Sequence, residues 1–219
     1  LTPEMVDGCQ LSNVPIIEDV CESHGALFEG KRCGSIGYAS NFSFYFAHHL
    51  TTIEGGAVCT NDTEFADVIR MLRSHGLVRE SRNEAKREAF RKEFPELNSE
   101  FIFKYAAHNN RPTELNGVLG RSQLPRLDED IVSRKRNFAR FMRHLDGAKY
   151  KNDFNVEASS NYALILVLRE PNWILRDKVE KCLQANGIEF RRGLSGGGNQ
   201  LRQPYLQPYA RSFSPKDFP

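Results

Sequence analysis

The stretch SFYFAHHLTTIEGGAVCTND, Ser43 to Asp62, places two adjacent histidines, His48 and His49, directly before a turn-and-strand signal, and the nearest lysines are Lys31 and Lys86. An imidazole has an ordinary pKa of about 6.5, so it can exchange a proton near neutral pH without the desolvation an amine needs. Either histidine can equally be a satisfied structural imidazole. Asp19 ends a short apolar run; it reads as a helix cap or as a carboxylate beneath a heteroaromatic nitrogen, where it would keep the ring protonated and able to accept electrons. Ser43 reads as a plain strand hydroxyl or as a donor to a phosphate, with the glycines of TTIEGG letting the backbone approach a ligand. His75 in RSHGLVRE is a substrate contact or a helix-end cap. Arg191, Arg192, Asn199 and Arg202 frame a glycine-rich loop that matches neither a dinucleotide fingerprint nor a P-loop. The segment reads as a plain mobile loop or as an anion site, since guanidinium groups suit phosphates and carboxylates alike.

The elements that must position these groups follow from periodicity. VPIIEDV is a buried-strand signature with Glu18 and Asp19 at its carboxyl end, where open α/β sheets place their ligands. GGAVCTND is a second short strand, and Asn61 or Asp62 can cap a helix over TEFADVIRMLRSHG that stops at Gly76. From Arg79 to Glu96 the chain is dense in Arg, Lys and Glu and reads as a solvated helix or surface excursion. Leu127, Ile131, Phe138, Met142 and Leu145 recur at helical spacing, predicting a long amphipathic helix closed by Gly147. Beyond it a strand over NYALILVL, a helix over WILRDKVEKCLQANG and a strand over IEFR are expected to form a smaller second domain.

Composition bounds the rest. The chain has 219 residues, 40% apolar and 26% charged, with a formal net charge of +2. That is a globular composition without the basic stripe that tracks a phosphodiester backbone, so no nucleic-acid partner is expected. YALILVL is too short to span a bilayer and nothing marks the N-terminus for secretion, so neither a membrane association nor export is expected. Cys9, Cys21, Cys33, Cys59 and Cys182 show no metal-knuckle spacing, which suits reduced thiols in a cytoplasm and no metal site. The chain opens on Leu1 and reads as the middle and C-terminal part of a longer protein.

Taken in order, IIEDVCESHGALFEGKRCGSIGYASNFSFYFAHHLTTIEGGAVCTND, RMLRSHG, HNNRPTELNGVLGRSQLPRLDE and GIEFRRGLSGGGNQLRQPYL resemble the sugar aminotransferase family, pyridoxal-phosphate enzymes acting on nucleotide-linked ketosugars. The resemblance implies an α/β fold of the PLP-dependent aspartate aminotransferase-like class (fold type I). Residues 1–125 would form the C-terminal part of the large cofactor-binding domain, 126–147 a bridging helix, and 148–219 a truncated small α/β domain. It also implies that Asp19 pairs with the pyridine nitrogen, that Glu22, where the family commonly has Gln, lies against the cofactor ring, and that Ser43 binds the cofactor phosphate. Asn109 is implied to reach the phosphate in a neighbouring subunit, hence a homodimer with shared active sites. The departure is His48, which stands where the aminotransferases carry the lysine that links covalently to the cofactor.

A ketosugar 3-dehydratase subgroup resembles the sequence at that position too. What the resemblance then implies is a catalytic His48 working with pyridoxamine 5'-phosphate: the cofactor condenses with the C-4 ketone of a GDP-linked 4-keto-6-deoxy sugar, His48 removes a proton from the cofactor methylene, and the C-3 hydroxyl leaves. Glutamate, as amino donor, would then regenerate pyridoxamine phosphate from pyridoxal phosphate. His49 is assigned orientation or packing. Arg191, Arg192, Asn199, Arg202 and His75 are assigned to substrate. Two rivals stand beside this reading. One is a CDP-ketosugar 3-dehydrase, which would need clustered cysteines for an iron-sulfur centre; the other is a non-catalytic cofactor-binding relative, although Asp19, Ser43 and Asn109 all remain in place.

Overall fold

The computed structural model describes residues 3–191, 200–206 and 208–209. The chain divides into two compact units, Leu1–Val167 and Leu168–Pro219.

The first unit is organised around a short three-stranded sheet. After helix α1 (Pro3–Leu11), strand β1 (Ile17–Asp19) leads to a small antiparallel hairpin of β2 (Leu27–Phe28) and β3 (Lys31–Arg32). Strand β4 (Ala39–Ser43) then lies parallel to β1 and antiparallel to β5 (Gly56–Thr60), so the sheet order is β1-β4-β5. Ala39 and Ser40 of β4 are buried, as a central strand requires. Because β1 and β4 are parallel, their carboxyl ends fall on one edge, and Asp19 is in register with Asn41 there.

Helix α2 (Thr63–Arg73) begins where the sequence signals it: the Asp62 side chain caps it by accepting the Phe65 N–H at 2.9 Å. It ends in a Schellman-type turn in which Gly76 N–H donates to the Met71 carbonyl at 2.7 Å, with His75 in the left-handed region at φ 61°. Gly76 is also left-handed, and a Cβ there would run into the Tyr105 carbonyl, so the turn has room only for hydrogen. Asp67, buried on α2, accepts from the Ser81 hydroxyl at 2.7 Å and the Arg82 amide at 2.8 Å and pairs with Lys86 at 3.1 Å, tying α2 to the following loop. Helix α3 (Glu84–Glu93), within the charged stretch, buries no residue. Helices α4 (Glu114–Gln123) and α5 (Leu127–His144) complete the unit, α5 burying Ile131 and Phe138 on its apolar stripe.

Two strand expectations fail. Residues 162–168 contain no strand, and Leu164, Ile165 and Leu166 are exposed rather than buried. Nor do residues 188–191 form one. A strand exists only through hydrogen-bonded neighbours, and among the described residues the first segment pairs only at a single bridge residue, Leu168, with Val167 accepting one backbone bond from Lys151, while the second has no pairing. The second unit retains helix α6 (Trp173–Ala185), capped by Asn172 accepting the Leu175 N–H at 2.9 Å.

Candidate active site

The site forms at the carboxyl edge shared by β1 and β4. The last residue of β1 is Asp19, exposed to solvent; its Oδ1 accepts from the Cys21 amide at 3.1 Å and the Asn41 side-chain amide at 3.2 Å. The Cys21 thiol, the Cys21 amide and Asn41 hold the carboxyl below its ordinary range, with the His48 imidazole adding to them against a small desolvation cost. Asp19 is therefore ionised at neutral pH. Cys21 is the counterpart: burial first, and then its hydrogen bond to Asp19, push the thiol up to about 11, so it stays protonated.

His48 lies in the loop after β4. Its ring is held edge-on by Tyr45 and Tyr162, each with a centroid 5.3 Å away. Its Nε2 faces Glu22 Oε1 at 3.7 Å, while its Nδ1 is buried without a hydrogen-bond partner. Ser43, at the end of β4, accepts the Tyr45 N–H at 3.2 Å. Asp19, Glu22, Ser43 and His48 are thus linked through direct neighbours: Asn41 joins Asp19 to β4, and Tyr45 joins Ser43 to His48.

His49 points the other way. It is buried, stacked on His24 at 5.5 Å, and its Nε2 lies 3.2 Å from the Ser160 carbonyl. Burial first, then Arg134 and His24, push its pKa down to about 4; His24 is also lowered, by burial and then by His48. Both rings are neutral at neutral pH. Arg134 of α5 donates to the carbonyls of Asn161 at 2.9 Å and Tyr162 at 3.3 Å, so α5 and His49 together fix the segment that carries Tyr162. On the other side, α4 clamps the turn that follows the histidines: Asn116 donates to the Thr52 and Glu54 carbonyls at 3.0 Å each, and the Thr51 N–H donates to Gln123 at 3.1 Å. An open cleft of about 840 Å³ is bounded by Glu22, Ser23, Phe28, Ser160 and Tyr162.

Asn109 and His75 lie beyond α2 within the first unit. Asn109 forms an isolated bridge with Ser74 beyond α2, and its side-chain oxygen accepts from Arg111 Nε at 3.0 Å. His75 is exposed in the turn ending α2, its N–H donating to the His108 carbonyl at 2.8 Å. Arg191 and Arg202 are exposed residues of the second unit; Arg192 and Asn199 lie outside the described residues. Tyr45, Asn41, Asn116, Arg134 and Tyr162 were not singled out from sequence. Only Asn41 carried a usable signal, because it shares a strand face with Ser43 two residues on.

Asp19 accepts the Cys21 and Asn41 amides on Oδ1, and His48 Nδ1 is buried without a hydrogen-bond partner. An ionised carboxylate and an imidazole at one sheet edge fit a protonated heteroaromatic ring with a reactive carbon beside it.

Residues 3–207 match the DegT/DnrJ/EryC1/StrS aminotransferase family. The chain is 34% identical over 183 residues to GDP-4-keto-6-deoxy-D-mannose 3-dehydratase of Yersinia pseudotuberculosis, an alignment covering 83% of this chain and 46% of that protein. The structure of the E. coli GDP-4-keto-6-deoxy-D-mannose-3-dehydratase with bound hydrated PLP superposes with a TM-score of 0.75 at 25% identity, covering 94% of this chain and 52% of that one. A variant of GDP-4-keto-6-deoxymannose-3-dehydratase with Asn in place of a histidine and with bound GDP-perosamine gives a TM-score of 0.68 at 25% identity, covering 85% and 48%. The fold is the α/β, aspartate aminotransferase-like fold of PLP-dependent enzymes, present in part. The chain spans about half the length of these relatives.

Proposed function

This chain belongs to the DegT/DnrJ/EryC1/StrS aminotransferase family, and from that premise we propose that the intact protein is a 3-dehydratase of GDP-4-keto-6-deoxy-D-mannose that uses pyridoxamine 5'-phosphate. The observation that carries this reading is His48: an imidazole, fixed between Tyr45 and Tyr162 beside Glu22, stands in the loop after β4 where a transaminase of this family needs a primary amine. Bound at this edge, the cofactor supplies an amine for the C-4 ketone and a ring that takes up an electron pair.

The chain's residues do the rest. Asp19 keeps its carboxylate ionised beneath the ring nitrogen and so holds a proton there. The Ser43 hydroxyl donates to the phosphate, and Asn109 reaches the phosphate of a neighbouring subunit, which makes the protein a homodimer. With the cofactor bound, His48 would take the proton from the carbon bearing the amine and pass it to the C-3 hydroxyl, which would leave as water. Hydrolysis would then release a 3-deoxy ketosugar and ammonia, and glutamate would restore the amine while leaving as 2-oxoglutarate. His75, Arg191, Arg192, Asn199 and Arg202 hold the sugar nucleotide or the donor carboxylate. Residues 1–125 then belong to the large domain, 126–147 bridge, and 148–219 belong to the small domain. The product suits deoxysugar synthesis for a lipopolysaccharide O-antigen, made in the cytoplasm. Among the described residues no helix is long and apolar enough to cross a membrane.

The test is to incubate the intact protein with pyridoxamine phosphate, glutamate and GDP-4-keto-6-deoxymannose and identify the sugar by mass spectrometry. Loss of the C-3 oxygen with the ketone retained is expected, and His48→Lys should shift the product towards an amino sugar. An amino sugar from the wild type, or an untouched substrate with cofactor bound, overturns the reading.

A further inference from the structure

Asn41 reaches two acceptors with one amide nitrogen, Asp19 Oδ1 at 3.2 Å and Cys21 Sγ at 3.3 Å. An NH2 group has two hydrogens, so it serves both. Cys21 in turn gives its backbone N–H to Asp19 Oδ1 at 3.1 Å. The sulfur accepts from Asn41 and carries one hydrogen of its own, which goes to the Asp19 carboxylate and closes a ring of bonds through the three side chains. That thiol bond is the largest influence holding Asp19 ionised; the His48 imidazole, the other titratable group acting on it, is the smallest. The thiol is suited to donating and to little else. Cys21 is half-buried, and burial, then the bond to Asp19, then the charges of Asp19 and Glu22 push its pKa up to about 11, so the hydrogen stays on sulfur at neutral pH. A nucleophilic cysteine needs the reverse, a thiol that loses its proton easily.

We infer that Cys21 is the positioning residue of Asp19: its amide and thiol together fix the carboxylate at the end of β1, and the thiol hydrogen keeps the negative charge on Asp19 and the proton on the heteroaromatic nitrogen that Asp19 is proposed to face. This rests on the cofactor reading above. A proton between a carboxylate and a pyridine nitrogen resides on the stronger base. Each donor to the carboxylate weakens it as a base and so moves the proton to the ring, which is the form that draws electrons. A side chain that only filled space beside Asp19 would hold the turn in shape and leave that balance unchanged.

The test begins on the intact protein without cofactor, by 13C NMR of the Asp19 carboxyl, assigned by its loss in Asp19→Asn. Cys21→Ala keeps the backbone bond and loses the thiol bond, so the Asp19 titration should move up towards 3.8. Cys21→Ser, whose hydroxyl donates and accepts in the same place, should bring it back. The reciprocal measurement needs no change at Cys21. In Asp19→Asn the thiol loses a charged acceptor, so its alkylation by iodoacetamide at pH 9, read by peptide mass spectrometry, should be several-fold faster than in wild type, with the exposed Cys59 and Cys182 unaltered; this arm decides the matter if Cys21→Ala does not fold. With 15N-labelled pyridoxamine phosphate bound, the ring nitrogen should be protonated in wild type and in Cys21→Ser and less so in Cys21→Ala. An Asp19 titration unmoved by Cys21→Ala, a Cys21→Ser variant that behaves as the alanine one does, or a Cys21 alkylation rate indifferent to Asp19→Asn overturns the assignment. A Cys21-dependent Asp19 titration in a protein that does not bind pyridoxamine phosphate supports the tie between Cys21 and Asp19 and overturns only the cofactor reading.

Discussion

Asn41 crosses from β4 to β1 and sets its side-chain amide 3.2 Å from Asp19 Oδ1, its register partner in the parallel pair. The same amide nitrogen lies 3.3 Å from Cys21 Sγ, so one carboxamide fixes both the carboxylate and the turn that follows it. Two hydrogen bonds thereby hold the Asp19 carboxylate at the sheet edge, where the cofactor ring is proposed to sit.

Removing that carboxamide should loosen this edge without unfolding it. In Asn41→Ala, Asp19 loses a donor that favours its charged form, and its titration, followed by 13C NMR of the carboxyl, should move up towards the ordinary value of 3.8. Pyridoxamine phosphate affinity should fall several-fold, since the carboxylate then has more than one orientation. An Asp19 titration identical to wild type would show that Cys21 alone sets it.

The preceding residue has a different task. Glu18 is buried, and its carboxylate accepts three backbone amides, Gly34 at 2.6 Å and Ile36 and Gly37 at 2.7 Å each. Glu18→Gln replaces one acceptor oxygen with an NH2 group that would confront an N–H, leaving at least one amide unsatisfied at a cost of about 1–3 kcal/mol. Hydrogen exchange at Gly34, Ile36 and Gly37 should accelerate by roughly 10- to 100-fold, while amides of α2 stay protected. Uniform acceleration across the unit would instead mean that the loop and the sheet open together.

His49 makes stability depend on pH. Its folded-state pKa lies near 4, below the ordinary 6.5, chiefly through burial. Between those values the unfolded chain binds a proton that the folded chain does not, so stability is full above about pH 6.5 and falls as the pH drops towards 4. The loss is on the order of 3 kcal/mol. His49→Gln keeps a donor for the Ser160 carbonyl and removes the titration, so urea midpoints at pH 7, 5.5 and 4.5 should converge relative to wild type. A slope equal to that of wild type would assign the acid sensitivity to another group.

Much of this geometry is written locally in the chain. The Asp62 cap, the apolar stripe of α5 and the acid at the end of β1 each depend on residues within a few positions, and the helices α2, α5 and α6 form where those signals stand. Asp19, Glu22, Ser43 and His48 gather at one edge because the parallel strands β1 and β4 end together, whereas the sequence signals in this part of the chain mark strands only over VPIIEDV and GGAVCTND and leave β4 unannounced. What the chain does not announce is long-range. Tyr162 reaches His48 only because Arg134 and His49 hold its segment, and the apolar run containing Tyr162 looks like a strand until one asks which neighbour would pair with it.

His75 sets helix-end geometry against substrate contact. It is exposed and left-handed at φ 61°, at the C′ position of α2, where a side chain costs energy that glycine does not pay. His75→Gly should therefore stabilise the protein by about 0.5–1 kcal/mol, read from the denaturant midpoint. The proposed contact with substrate predicts the opposite sense for turnover: KM for the sugar nucleotide should rise several-fold with kcat little changed, because the lost interaction is made equally in the ground and transition states. Ala at the same position separates the two effects. It lacks the imidazole but keeps the Cβ, so His75→Ala should raise KM as much as His75→Gly without the gain in stability. A more stable His75→Gly variant with unchanged KM would confine His75 to ending the helix.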